Sequence, residues 1–303
     1  MIAFCGYANS DLTVSLPVLP TAGDRVQATA LHRRDGGMAA NAAVAAARMD
    51  ADARFAGVVG PDRMSTAFLD ALAADGVDVT WAARTGELTT AVIMVTPDGE
   101  RSIISQDDTV TTEHVAAVAR QLDAAGGGLL YLDGYRFPDA AEVLAATAGS
   151  SVVDLDGCEQ TQDALGALRN ADHVIIGSAQ AARLFGDTDP AELAIVHAVH
   201  LVVTSGARGW WLHTPGGERH HEPAVTVAVV DATGAGDCFT GTYCAELDRG
   251  ATPVEAARFA GVAASLSCMH PGARAGSPTR AAVLRHLETI PSTPPVEETT
   301  CAE

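Results

Sequence analysis

Short apolar runs rich in Val and Ile alternate along this chain with Ala-rich segments of helical period. IAFCG precedes AANAAVAAARM, RFAGVVG precedes STAFLDALAADG, and GLLYLDG precedes AAEVLAATAG; SVVDLDG, HVIIG and HLVVTSG continue the series. The alternation predicts an α/β fold, a mostly parallel sheet with helices on both faces. Ligands of such sheets bind beyond the carboxyl ends of the strands. The positions to inspect are therefore Asn9 to Asp11, Asp133 to Arg136, Asp154 to Asp156 and Thr204 to Gly209.

Two stretches break the rhythm. Residues 14–35 and 89–106 read as strands without helices, the second with a PDG turn of hairpin type. Together they predict a small sheet standing off the core as a lid. Its unpaired edges favour pairing with a second copy, so a homodimer through the lid is expected. One domain is expected over residues 1–290, and the tail 291–303, PSTPPVEETTCAE, is too poor in apolar residues to pack and is expected to be disordered.

Composition narrows the function classes. The chain has 303 residues, 48% of them hydrophobic, yet no apolar run approaches the roughly 20 residues that cross a bilayer. The start, MIAFCGYANSD, lacks a basic flank and a cleavage site, so a soluble cytoplasmic protein is expected. A formal charge of −19 argues against nucleic acid or anionic membrane as a partner. Lysine is absent, which excludes Schiff-base chemistry and a Walker A loop. The six cysteines form no CxxC pair and read as reduced core thiols, and the ten histidines, His220 and His221 included, show no HExxH spacing.

The candidate chemistry lies in DATGAGDCFTG, residues 231–241. VAVV before it predicts a strand, ATGAG a turn, and DCFTGTYCAEL a helix, so the amides of residues 234–237 should point outward from a helix start and bind an anion. The order of Gly234, Gly236 and Gly241 does not fit the GxGxxG dinucleotide fingerprint. Asp237 alone would read as a carboxylate favouring the helix dipole. Beside an anion hole it would repel phosphate unless its task is to accept the proton of a hydroxyl nucleophile, which suggests a kinase acting on an alcohol.

At this point the chain resembles the ribokinase-like (PfkB) carbohydrate kinases. VVDATGAGDCFTG is similar to that family's C-terminal signature and DGGMAANAAVAAARMDADARFAGVVGPD to its N-terminal one, and the similarity runs from residue 1 to about 290. The resemblance implies a three-layer α/β/α core with a β-sheet lid and ATP-dependent phosphorylation of a sugar hydroxyl, with Mg2+ on the nucleotide and, in many members, a stimulating K+. By the same resemblance Asp237 is the catalytic base and Gly234, Ala235 and Gly236 the anion hole; Asp11, Gly36, Gly37 and Asn41 hold sugar hydroxyls. Without it, an Asx turn at Asp11 and a helix N-cap at Asn41 would be equally good readings. Thr204, Gly206, Arg208 and Gly209, in TSGARG, match the loop over the nucleotide, and Gly261 a position near the adenine. Asp231, Thr233, Ser267, His270, Gly272 and Gly276 match a monovalent-cation site.

The departures bear on the substrate. Met38 replaces a family lysine, Gly177 to Gln180 replace an NxxE element that organises phosphate and Mg2+, Gly261 stands where Asn is common, and Gly276 lacks a hydroxyl. Arg25 and Arg136 are candidates to face the substrate through guanidinium groups suited to phosphate, carboxylate or sulfonate. With GGMAAN, YRF and HPGARAGSP, these residues resemble the branch that phosphorylates 6-deoxy-6-sulfofructose at its 1-hydroxyl. The competing readings are a kinase for a neutral sugar or nucleoside, a non-catalytic sugar-binding protein, and a nicotinamide-dependent oxidoreductase, which lacks its fingerprint here.

Overall fold

The computed structural model describes residues 1–98, 100–106, 110–136 and 140–289. The expected tail and the tip of the PDG turn lie outside the described residues. The strands are β1 (Ile2–Cys5), β2 (Asn9–Ser15), β3 (Ala30–Gly36), β4 (Ala53–Phe55), β5 (Thr89–Val95), β6 (Arg101–Ile104), β7 (Leu129–Asp133), β8 (Ser150–Asp154), β9 (His173–Gly177), β10 (His200–Thr204), β11 (Trp210–His213) and β12 (Arg219–Glu222). The helices are α1 (Met38–Arg48), α2 (Arg63–Ala74), α3 (Thr112–Ala124), α4 (Ala141–Ala146), α5 (Thr161–Asn170), α6 (Ser178–Phe185), α7 (Pro190–His197), α8 (Ala235–Asp248), α9 (Pro253–Ser267) and α10 (Arg280–Leu287).

The main sheet runs β12-β11-β10-β9-β8-β7-β1-β4. Its six strands from β10 to β4 are parallel and the last two antiparallel. Because successive side chains of a strand point to opposite faces, each strand feeds two cores. Ile2, Phe4, Leu129 and Tyr131 pack with α1, α2, α8, α9 and α10. Ala3, Cys5, Leu130 and Leu132 pack with α3 to α7. The result is a three-layer α/β/α arrangement with the sheet between two sets of helices.

β2, β3, β5 and β6 form a separate sheet of order β3-β2-β5-β6. Its central pair β2–β5 is parallel and both outer pairs antiparallel. The first strand starts at Asn9, earlier than the segment 14–35 indicates, because residues 16–29 carry no strand pairing and the apolar residues of that stretch are split by a long connection. VAVV is likewise no strand. Residues 227–230 pair with no sheet among the described residues, and Val229 and Val230 are exposed. The apolar run is instead held by single amides, with Val230 N–H and Asp231 N–H both donating to the Cys268 carbonyl, at 2.8 and 3.1 Å. No helix among the described residues is long and apolar enough to cross a membrane.

The contact that positions the site is between α1 and α8. At Gly241 a Cβ would stand 2.1 Å from the Ala42 carbonyl oxygen, so only hydrogen there lets the two helix backbones meet. The Ala-rich composition of α1, buried from Ala39 to Ala46, serves the same close approach. Gly241→Ala gains up to about 1 kcal/mol of helix propensity but must push the helices apart. Overpacking costs about 1–3 kcal/mol, so net destabilisation is expected as a lower urea midpoint. An unchanged midpoint would contradict the close packing.

Candidate active site

β1, β7, β8, β9 and β10 are parallel neighbours, so their carboxyl ends share one edge of the sheet. Asp133 and Asp154, the last residues of β7 and β8, are register partners there and both are buried. The Tyr7 amide donates to Asp133 Oδ2, and Thr240 Oγ1 of α8 donates to Asp154 Oδ2 at 2.6 Å. Burial, with Asp156 close by, pushes the Asp154 carboxyl well above the usual carboxylate range. Asp156 follows in the loop and accepts the Gly177 amide at 3.4 Å; its carboxyl is also raised by desolvation.

α8 starts against this edge. Gly234, its N-cap, has φ 75°, a backbone region that side-chain-bearing residues avoid, and a Cβ there would collide with Ala273 at 2.6 Å. Of the expected donors, the Ala235 amide bonds the Ala232 carbonyl at 3.2 Å. The Gly236 and Asp237 amides lie in the first helical turn, where no intrahelical carbonyl is available to them. The amides open to a ligand thus centre one residue further along than the motif suggests.

Asp237 sits half-buried in that turn. Desolvation raises its carboxyl from 3.8 to about 7; Asp156 and Asp133 add to the rise, and a hydrogen bond from Asn41 and the charge of Arg274 oppose it. The Asn41 Nδ2 donates to Asp237 Oδ2 at 2.8 Å. Asn41 lies inside α1, whose N-cap is Gly37, so it is not a cap. Asp11 lies within β2, not in an Asx turn, and accepts Asn9 Nδ2 at 2.8 Å. Burial raises its carboxyl too. Gly36 closes on this pair, since a Cβ there would strike Asp11 and Asn9, and Gly37 opens α1.

Two hollows lie near these residues, one reaching Asp11 and the other Ala235 and Gly236; Asp237 itself is in neither lining. One, of about 540 Å3, is lined by Tyr7, Asn9, Asp11, Tyr135, Glu159 and Asp163 among others. Arg25 is an exposed residue of the 16–29 connection and is not in that lining. Arg136 ends the turn Gly134–Arg136 whose other two residues do line it; its side chain lies outside the described part. The second hollow, of about 370 Å3, includes Thr204, Gly206, Gly209, Trp210, Phe239 and Gly261 and opens onto Gly236. Its volume and mostly apolar walls suit a flat heterocycle with polar groups at one end. Arg208 is not in its lining and donates to Ser205 Oγ at 3.0 and 2.6 Å. Trp210 carries no signal in the sequence motifs, yet its indole is why residue 261 is glycine: a Cβ there would be 2.6 Å from Trp210 Nε1.

The residues matched to a cation site do come together. Asp231 Oδ1 accepts Thr233 N and Oγ1 at 2.9 and 2.6 Å, and Oδ2 accepts Gly272 N at 2.9 Å. The His270 amide reaches the Ser267 carbonyl at 3.4 Å, and a Cβ on Gly276 would be 2.1 Å from that same oxygen. In this arrangement Asp231 braces the turn. Gln180, in place of an acidic residue, bonds the Cys158 carbonyl and accepts Arg183, so it is turned from the α8 start. Among the described residues no three His, Cys, Asp or Glu side chains converge as a metal cage. A Cβ on Gly236 would stand 3.8 Å from Asp156 Oδ2, so this carboxylate adjoins the α8 start and offers the hard oxygen donor that Mg2+ takes.

Sequence reasoning missed Arg274, the residue that ties the site together. It is buried, donates Nε to Asn41 Oδ1 at 2.8 Å and Nη2 to the Gly36 carbonyl at 2.9 Å, and lies over the Phe68 ring. The signal was its place in HPGARAGSP, a lone cation in a Gly- and Pro-rich stretch.

Comparison with known proteins agrees with this fold. The profile of the pfkB family carbohydrate kinases matches residues 1–280. Ribokinase of Bacillus subtilis is 30% identical over 287 residues, covering 92% of this chain and 96% of the relative. Among solved structures, ribokinase of Thermotoga maritima superposes with a TM-score of 0.84 at 24% identity, over 95% of this chain and 99% of that one. Arabidopsis thaliana ribokinase, complexed with ribose and ATP, gives 0.82 at 24% identity, over 95% and 98%.

The raised Asp237 carboxyl sets a sign for stability. The folded state holds a proton between about pH 4 and 7 that the unfolded chain has released, so this group's contribution is present at low pH and lost as pH rises through about 7. Asp237→Asn removes that loss. Its Tm relative to wild type is expected to be more favourable at pH 8 than at pH 5 by scanning calorimetry, and the reverse order would contradict the burial argument.

Proposed function

This chain belongs to the pfkB family of carbohydrate kinases, and we propose that it moves the γ-phosphoryl group of ATP onto a hydroxyl of a neutral sugar or sugar-bearing compound, with Asp237 as base. The observation that carries this reading is the Asn41-held carboxylate of Asp237 in the first turn of α8, next in sequence to Gly236 in the wall of the apolar hollow. Adenine occupies the slot beside Trp210 and Gly261, under the turn from Thr204 to Gly209, and the phosphates lead to Gly236. The sugar lies among Asp11, the Gly36–Gly37 turn and Asn41, and the small sheet closes over it to exclude water. Asp237 takes the hydroxyl proton, and the first-turn amides of α8 hold the charge developing on the transferring group, an effect of about 3 kcal/mol per donor. Mg2+ supplies charge neutralisation on the phosphates, and Asp156 is the residue of this chain that would hold it. A K+ beside the Asp231 turn would meet oxygen donors of suitable hardness and firm the entry to α8.

The walls of the sugar hollow favour a neutral substrate. Asp11, Glu159 and Asp163 line it, and no cationic side chain is among its described lining residues. Ionised carboxylates accept hydrogen bonds from hydroxyls and repel anions. An anionic ketose, 6-deoxy-6-sulfofructose phosphorylated at its 1-hydroxyl, is the second reading; what favours it is Arg136, whose backbone adjoins the lining residues Gly134 and Tyr135.

A coupled assay with ATP across ribose, fructose, nucleosides and 6-deoxy-6-sulfofructose tests both readings. The neutral compounds should turn over faster, and the rate should rise with pH through about 7 as Asp237 loses its proton. Asp237→Asn should lower kcat by a factor of about 10^3 or more with little change in ATP affinity. Preference for the sulfonate would favour the second reading, and near-normal turnover of the variant would remove Asp237 as base. The exposed Leu31, Ile103 and Ile104 of the small sheet support a dimer formed there. Leu31→Glu combined with Ile104→Glu should convert it to monomer in sedimentation, whereas a wild-type monomer at micromolar concentration would refute it.

A further inference from the structure

An asparagine amide can face a carboxylate with either its N–H2 or its carbonyl, and the two choices have opposite consequences. The N–H2 stabilises an ionised carboxylate; the carbonyl stabilises a protonated one. What selects between them at Asn41 is the partner on its other side. Arginine carries five N–H donors and no acceptor, so an amide beside it must present oxygen. Arg274 Nε meets Asn41 Oδ1 at 2.8 Å, and this leaves Asn41 Nδ2 aimed at Asp237 Oδ2, also at 2.8 Å.

We propose that Arg274 is a positioning residue for the kinase base: by occupying the carbonyl side of Asn41 it holds the amide in the one orientation that favours ionised Asp237. The guanidinium is itself fixed by independent contacts. Its Nη2 bonds the Gly36 carbonyl at 2.9 Å, Nη1 lies 3.8 Å from Asp35 Oδ2, and the Phe68 ring covers its face with the guanidinium carbon 4.8 Å from the ring centre. Its side chain is only 10% exposed, so competition from water for these donors is small. The charged groups that face Asp237 are Asp133 at the end of β7, Asp154 and Asp156 at and after the end of β8, and Arg274 itself, with the Tyr131 hydroxyl of β7 also near. Two of these carboxylates, Asp156 and Asp133, oppose ionisation of Asp237, and Arg274 is the cation that favours it.

This inference rests on the proposed role of Asp237, so its test reads Asp237 directly, apart from turnover. In protein labelled with 13C at the aspartate carboxyl carbon, the Asp237 resonance is assigned by its loss in Asp237→Asn and titrated without substrate. Arg274→Met should raise its midpoint by at least about one unit, equivalent to about a tenfold smaller ionised fraction below the midpoint. In an Asn41→Leu background the rise caused by Arg274→Met should fall to less than half, because the part carried by the amide is gone. Arg274→Lys, which keeps charge and donors but not the fork, should fold and show a smaller rise. If Arg274→Met does not fold, the Lys variant decides. An unmoved midpoint in either folded variant, or an equal rise with and without Asn41, would overturn the proposal. These titrations stand even if no sugar in the panel is phosphorylated, so failure of the kinase reading and failure of the positioning role give different results; where turnover is seen, the acid limb of kcat should move with the resonance while the KM for ATP stays unchanged.

Discussion

The site depends on one close approach, that of the α1 and α8 backbones at Gly241 and Ala42. Asn41 is the residue before Ala42, and Asp237 is one helical turn before Gly241. Bringing these backbones together is therefore the same event as bringing the amide to the carboxylate. A separation larger by the width of a methyl group would turn a 2.8 Å hydrogen bond into a gap. It would leave the half-buried Asp237 near Asp133 and Asp156 with less to favour its ionised form.

That electrostatic balance explains why a strongly acidic protein buries an arginine here. Asp156 repels both Asp154 and Asp237, and burial pushes all three of these carboxyls toward the protonated state. A base that is protonated at working pH cannot accept a proton, while one with an ordinary carboxylate value has little drive to do so. A value near neutrality is a compromise between desolvation, which raises it, and the Asn41 and Arg274 contacts, which lower it. The fold supplies the first through packing and the second through α1 and the loop after α9.

The parts legible in sequence are those written in local pattern. Apolar runs gave the parallel strands because both faces of each are buried, and DATGAGD marked the α8 start because a positive φ at residue 234 demands glycine. VAVV misled for the same reason that made the others succeed. An apolar β-branched run looks identical whether it enters a sheet or, as at Val229 and Val230, lies exposed along a helix terminus. Arg274 and Trp210 were illegible because their meaning is tertiary. Arg274 acts on Asn41 across 233 positions of chain, and the indole of Trp210 explains Gly261 only once β11 lies against α9. Arg25 shows the converse, a residue chosen for its chemistry that the chain leaves on an exposed connection.

The same distinction accounts for why the reaction is easier to read than its substrate. The phosphoryl end is assembled from a single contiguous turn, and its donors are main-chain amides whose placement follows from helix geometry. The sugar hollow draws on β2, β5, β6, the turn after β7, the loop after β8 and the start of α5. No spacing rule links those six segments, and each can change its side chain without disturbing the sheet behind it. Beside the apolar Ala91, Ile93 and Ile103 they present acceptors: Asp11, Glu159 and Asp163, with Asn9, Gln106 and Gln160 able to donate or accept. A surface of acceptors is complementary to a ring of hydroxyl donors. Under the proposed role of Asp237 the reacting hydroxyl would approach that carboxyl, and the remaining hydroxyls would then determine how far the rest of the molecule extends toward Glu159 and Asp163.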